Sequence, residues 1–134
     1  MIKTTMNTRD GGAAPTGDEV HDVAVVGAGA SGLSAALLLG RARRRVVVID
    51  AGEPRNAPAA YMHGFLSRDG LSPATLLDLG RAEIDRYGVD VVRGRVEHVE
   101  PGYDVRLEGG PVIRPTCWAA LPRGAYSTSA ARRA

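Results

Sequence analysis

The sequence has a single cysteine, Cys117, among its 134 residues. One thiol excludes an intramolecular disulfide and a CxxC redox pair within this chain. Aromatic residues are scarce, and no run of about 18 apolar residues is present, which excludes a membrane-spanning helix. The first 17 residues lack the apolar segment of a secretory signal. We therefore expect a cytoplasmic protein that makes no membrane contact.

The composition is that of one ordinary globular domain. Hydrophobic residues make up 44% and charged residues 24% of the chain, which excludes disordered and collagen-like classes. The net charge of +2 is unevenly placed, because the residues after Pro115 include three arginines and no acid. Without them, 14 basic residues face 15 acidic ones. We therefore expect no nucleic-acid partner, since the basic excess lies outside the predicted domain.

The pattern of apolar residues predicts an α/β fold. Residues 23–26 and 46–49 are short apolar runs, typical of parallel strands buried on both faces. Helical spacing over residues 31–41 places a helix between them, which gives a β-α-β unit. After a long loop, Ser72 is the predicted N-cap of a second helix. A strand and a meander of short antiparallel strands are predicted to follow it.

A glycine-rich turn is the motif that carries chemistry. The pattern G-x-G-x-x-G lies between the first predicted strand and the first helix, in the residues Gly27, Ala28, Gly29, Ala30, Ser31 and Gly32. In a dinucleotide-binding turn the first glycine permits the tight bend, the second lets the pyrophosphate approach the backbone, and the third lets helix and strand pack closely. The helix N-terminus then favours the phosphates.

Asp50 strengthens the prediction of a nucleotide site. It ends the second predicted strand, 18 residues after Gly32, close to the spacing expected of a ribose-binding acid. An acid there repels a 2′-phosphate, so the motif favours FAD or NAD over NADP. The alternatives are a tight turn without a ligand for the glycines and a solvated acid at a strand end for Asp50.

Three segments resemble the FAD domain of the thioredoxin reductase-like flavoprotein oxidoreductases. They are DVAVVGAG at residues 22–29, DAGEPRN at residues 50–56 and HGFLSRDG at residues 63–70. The resemblance implies part of a doubly wound, Rossmann-like FAD-binding domain, and it selects FAD over NAD as the cofactor. It also implies an NADPH-binding domain in full-length relatives, which can be homodimers.

The resemblance assigns cofactor contacts beyond the turn and Asp50. Ala51, which follows Asp50, is also predicted to contact the cofactor. Arg55 and Asn56 would lie along the FAD, and His63 would approach the flavin. For Arg55 and His63 the alternatives are a surface arginine and a histidine that packs within its own loop. No catalytic residue and no metal ligand is predicted in this chain.

Departures from the family lead to a prediction of truncation. Relatives have an Ala-Thr-Gly segment, a dithiol, an NADPH fingerprint and a C-terminal return to the FAD domain, none of which occurs here. We expect a flexible extension at residues 1–17, a domain at 18–115 and an unstructured tail at 116–134, with Cys117 an incidental thiol. The codons allowed for residues 121–129 can be read in a shifted frame that starts at the third position of each codon. In that frame they can encode Ala-Thr-Gly-Gly-Leu-Leu-Asp-Val, which contains the family's missing segment. This suggests a frameshift near codon 115. The alternative to an oxidoreductase part is a non-catalytic dinucleotide-binding module or an inert fragment.

Overall fold

The computed structural model describes residues 20–54 and 58–120. Its helices and strands alternate in the first half of the described chain and give way to short strands in the second. In chain order they are β1 (Val23–Val26), α1 (Ala30–Arg41), β2 (Val46–Asp50), α2 (Pro73–Asp85), β3 (Asp90–Arg93), β4 (Val96–Val99), β5 (Val105–Leu107), β6 (Val112–Ile113) and β7 (Cys117–Ala120). The predicted α/β class is confirmed.

A parallel sheet forms the centre of the fold. Its strand order is β3-β2-β1-β7, and each neighbouring pair is parallel. Strand β1 is buried along its whole length, and β2 is buried up to its last residue, Asp50. Such continuous apolar strands need cover on both faces of the sheet.

The sheet separates two hydrophobic clusters, so the described chain has three layers. On one face, α1 and α2 contribute Leu33, Leu77 and Ile84 to a cluster with alternate residues of β1 and β2. On the other face, β4, β5 and β6 form an antiparallel sheet of their own, which packs through side chains such as Val105 and Ile113. The predicted meander is therefore joined to the parallel sheet by packing.

Helix α2 begins where its sequence predicts, and α1 begins one residue before the predicted range of residues 31–41. Ser72 caps α2, where its hydroxyl accepts a hydrogen bond from the backbone N–H of Thr75 at 3.1 Å, and Pro73 occupies the first helical position. Helix α1 begins at Ala30 after an extended Gly29. The two helices pack closely, since a Cβ on Gly80 of α2 would lie 3.0 Å from the Leu33 side chain of α1.

Strand β7 corrects the prediction of an unstructured tail. Cys117–Ala120 pairs in parallel with β1, and Trp118 packs against the cluster beneath the antiparallel sheet. The prediction is therefore wrong for these four residues. It rested on composition, whereas the open edge of β1 supplies hydrogen-bonding partners that override a weak strand propensity. Residues 121–134, like 1–19, lie outside the described residues, and the frameshift stays a prediction.

Candidate dinucleotide site

The glycine-rich turn lies at the carboxyl end of the central strand. Gly27 follows β1 with a φ of 100°, a conformation that side chains rarely adopt. Its N–H donates to the carbonyl of Ile49 in β2 at 2.8 Å, so the turn is tied to the neighbouring strand. Ala28 is buried in the hydrophobic cluster between the parallel sheet and the helices α1 and α2. The first glycine is thus required by the local backbone.

Gly32 is required by the packing of helix on strand. A Cβ at this position would lie 1.9 Å from the carbonyl oxygen of Gly27, a distance that no folded structure accommodates without movement of the backbone. Gly32 is buried within the first turn of α1. Its role, predicted from the motif, is the close approach of α1 to the turn.

Gly29 differs from both, because the protein itself does not require a glycine there. Its φ of −75° and ψ of 178° suit any residue, and a Cβ would meet nothing within 4 Å. It is the N-cap of α1 without a side-chain cap, and the first N–H groups of a helix have no partner within the helix. Ala30 and Ser31 are exposed beside it. This open cradle fits a pyrophosphate, which needs backbone N–H groups without side chains in front of them.

Asp50 lies beside the turn at the same edge of the sheet. Val26 of β1 pairs with Ile49 of β2. Gly27 follows Val26 and Asp50 follows Ile49, so both residues lie at the carboxyl ends of neighbouring strands. The Asp50 side chain is 18% exposed. Its Oδ1 accepts from the N–H of Gly52 at 3.1 Å. The carboxylate is therefore held at the edge of the site, with part of its surface open.

Arg81 is a residue that the sequence analysis did not single out. Its guanidinium lies 3.3 Å from Oδ2 of Asp50 and 3.2 Å from Oδ1 of Asp78. The signal was present in the sequence, because Arg81 falls between Leu77 and Ile84 on the inner stripe of α2. A charged residue on an apolar stripe needs a partner, and here the partner is the carboxylate at the end of β2.

Further arginines surround the loop after β2. The Arg93 guanidinium lies against Gly52, where a Cβ would come within 2.5 Å of it. Arg95 pairs with Glu53 at 2.6 Å. Ala51 is exposed within this loop. The start of the loop, at Gly52 and Glu53, thus contacts arginines of β3 and of the segment between β3 and β4.

The HGFLSRDG segment forms a loop closed on itself. The N–H of Gly64 donates to Asp69 at 2.8 Å, and the Nδ1 of His63 lies 3.5 Å from the same carboxylate oxygen. Both side chains of the His63–Asp69 pair are largely exposed. The structure therefore gives His63 a partner in its own loop. Arg55 and Asn56 lie outside the described residues.

A buried histidine lies at the amino end of β1, opposite the glycine-rich turn. His21 precedes β1, and its Nε2 lies 3.0 Å from a carboxylate oxygen of Asp90 at the start of β3. Its Nδ1 is buried without a hydrogen-bond partner. Because the turn follows the other end of β1, His21 is remote from the candidate site and belongs to the framework of the sheet.

Residues 20–54 and 58–120 contain neither a candidate metal site nor a membrane-spanning helix. These residues bring together no group of three or more His, Cys, Asp and Glu side chains that could hold a metal ion. None of their helices has the length and apolar character needed to cross a membrane.

Comparison with known proteins identifies the domain. Residues 22–68 match the family model described as the FAD binding domain. Thioredoxin reductase sirT of Leptosphaeria maculans is 50% identical over 54 residues, which are 40% of this chain and 16% of that protein. Thioredoxin reductase tcpT of Claviceps purpurea is 38% identical over 84 residues, 57% of this chain and 26% of that protein.

Solved structures share the fold of this chain. The crystal structure of HlmI is 49% identical with a TM-score of 0.75, covering 81% of this chain and 36% of that one. An oxidoreductase from Agrobacterium tumefaciens is 37% identical with a TM-score of 0.72, covering 76% of this chain and 36% of that one. This chain thus spans about a third of these relatives' length. The chain thus contains an FAD-binding domain that is similar to those of the thioredoxin reductase-like flavoproteins, and its cofactor is FAD.

Proposed function

We propose that the turn at residues 27–32 and Asp50 bind the ADP half of FAD. On this proposal the chain supplies the FAD-binding part of an NAD(P)H-dependent oxidoreductase of the thioredoxin reductase type. The observation that carries it is the contrast between two glycines. Gly32 is explained by the protein's own packing, whereas Gly29 faces open space and leaves room for a ligand that approaches from outside.

Each part of the site has a separate task in this proposal. The N–H groups at the start of α1 bind the pyrophosphate, and the positive end of the helix dipole favours its charge. Asp50 accepts hydrogen bonds from the hydroxyls of the adenosine ribose. Arg55, Asn56 and His63 contact the cofactor further along, as the family resemblance implies. When bound, the flavin supplies hydride and electron transfer, while the protein positions it.

The direct test is the visible spectrum of the purified chain after incubation with FAD and gel filtration. We expect yellow protein with quenched flavin fluorescence. Gly29→Val should abolish FAD binding because its methyl groups occupy the place of the pyrophosphate. Its melting temperature should stay close to that of the unchanged chain, since a Cβ at this position meets nothing within 4 Å.

A matched control introduces valine near the start of the other helix. Ala74→Val changes an exposed residue of α2 and should leave FAD binding intact. Colourless, folded protein that ignores FAD would contradict the proposal and favour an inert module. Equal FAD affinity in Gly29→Val and in the unchanged chain would show that the nucleotide does not use this turn.

Oxidoreductase activity is tested separately from FAD binding. NADPH added to the loaded protein should leave the flavin absorption unchanged, because the described residues contain a single glycine-rich turn and the family resemblance places NADPH at a second one. Rapid bleaching by NADPH would show that this chain carries its own hydride-donor site. That result would overturn the assignment of a separate NADPH domain, while the FAD site would stand.

A further inference from the structure

Arg81 occupies an unusual position for a charged residue. It lies on the inner stripe of α2, four residues after Leu77 and three before Ile84, both of which are buried. Its side chain is 38% exposed. A guanidinium close to a hydrophobic core needs charged partners to stabilise it. One of the two partners of Arg81 is the Asp50 carboxylate, 31 residues earlier in the sequence.

The two oxygens of Asp50 are held from two directions. The N–H of Gly52 donates to Oδ1 at 3.1 Å, and the guanidinium of Arg81 donates to Oδ2 at 3.3 Å. An ionised carboxylate has about four lone-pair sites, so two protein donors leave room for two more. The pair of contacts fixes the plane of the carboxylate without using up its capacity as an acceptor.

We infer that Arg81 is a positioning residue of the adenosine-ribose site, which orients the Asp50 carboxylate towards the ribose hydroxyls. The inference rests on the proposed function, in which Asp50 binds that ribose. Asp78, the other partner of Arg81, has a side chain that is 76% exposed, so solvent screens this ion pair and it contributes little to the placement of the guanidinium. Arg81 itself touches the carboxylate, so its effect on the nucleotide passes through Asp50.

The test compares FAD binding by the full chain and by Asp50→Asn, Arg81→Gln, Arg81→Lys and Asp78→Asn variants. Arg81→Gln should weaken FAD binding about tenfold, as expected for the loss of one charge-assisted hydrogen bond that orients the acceptor. Arg81→Lys should restore part of the affinity. Asp78→Asn is the matched control, since it removes the other partner of Arg81, and should change FAD affinity less than twofold.

A second readout separates positioning from a general loss of structure. ADP and 2′-deoxy-ADP are each titrated against bound FAD, and the ratio of their affinities measures how much the site gains from the 2′-hydroxyl. In Arg81→Gln this ratio should fall towards one, as in Asp50→Asn. A merely structural role of Arg81 would weaken both ligands equally and leave the ratio unchanged, which would overturn the inference.

The two proposals fail in different ways. If Asp50→Asn lowers the affinity ratio but Arg81→Gln does not, the ribose site stands and Arg81 is not its positioning residue. If neither variant changes the ratio, Asp50 does not bind the ribose, and the role of Arg81 falls with it. A double variant, Asp50→Asn with Arg81→Gln, should bind FAD no more weakly than Asp50→Asn alone; additive losses would also contradict the inference.

Discussion

At the scale of a single residue, Gly32 should respond to substitution through stability. Gly32→Ala places a methyl group 1.9 Å from the Gly27 carbonyl oxygen, so α1 must shift away from the turn. We expect a loss of about 2 to 3 kcal/mol in the free energy of unfolding, typical of overpacking. Urea unfolding followed by circular dichroism measures it.

Gly29→Ala provides the control for that measurement. Its backbone conformation suits any residue and its Cβ meets nothing, so its stability should change by less than about 0.5 kcal/mol. Equal losses at the two glycines would show that the helix does not approach the turn as closely as the structure describes.

Single residues also mark how far the sequence could predict the site. Gly27 and Gly32 were predictable because each has a backbone or packing role that a short motif encodes. Arg81 was not, since its partner lies in a different element and only the packed fold brings α2 to the end of β2. For His63 the sequence left two roles open; its contact with Asp69 fits a histidine that packs within its own loop, and its approach to the flavin stays a prediction.

At the scale of an element, the start of α2 depends on Ser72. Its hydroxyl accepts from the Thr75 N–H, and Ser72→Ala leaves that donor without its cap. The expected loss is about 1 kcal/mol in the free energy of unfolding. Ser34→Ala is the matched change, because that hydroxyl bonds back to the Ala30 carbonyl within α1 and contributes little. Similar losses for both serines would contradict the capping role.

The strand pair β4–β5 should carry a dependence on pH. Arg106 lies 2.6 Å from Glu100, and its hydrogen bond and charge lower the pKa of that carboxyl from its ordinary value of 4.5. A lowered pKa in the folded state stabilises the fold above the unfolded value. This contribution is lost as the pH falls below 4.5 towards the folded pKa.

Glu100→Gln isolates that contribution. Urea unfolding between about pH 6 and about pH 3 should show a shallower loss of stability in the variant than in the unchanged chain. Asp22, whose pKa is lowered by its hydrogen bonds with Arg45, is present in both proteins and cancels in the difference. Parallel curves for the two proteins would contradict the role of Glu100.

Elements of the first half were predictable for a simple reason. Residues 23–26 and 46–49 are apolar without interruption, which favours parallel strands buried on both faces. Strand β7 carried no such signal, because its Cys-Trp-Ala-Ala sequence has little strand propensity of its own. Its place is decided by the hydrogen-bonding edge of β1, which is a property of the assembled sheet.

At the scale of the whole molecule, β7 should contribute to stability. A chain ending at Pro115 loses the parallel pairing with β1 and the packing of Trp118, whereas a chain ending at Ala120 keeps both. We expect the shorter chain to be less stable by about 2 kcal/mol or more, as for deletion of a large, partly buried side chain. Thermal unfolding of the two chains compares them, and equal melting temperatures would restore the prediction that this segment does not pack.

The three-layer arrangement places the glycine-rich turn on the best-anchored strand. Strand β1 is hydrogen-bonded to β2 on one side and to β7 on the other, with a hydrophobic cluster against each face. Its backbone amides should therefore exchange with deuterium only when the domain opens globally, later than those of the edge strand β3. The strand that precedes the turn would then be rigid before FAD binds. The protein would therefore lose little conformational entropy where it binds the pyrophosphate.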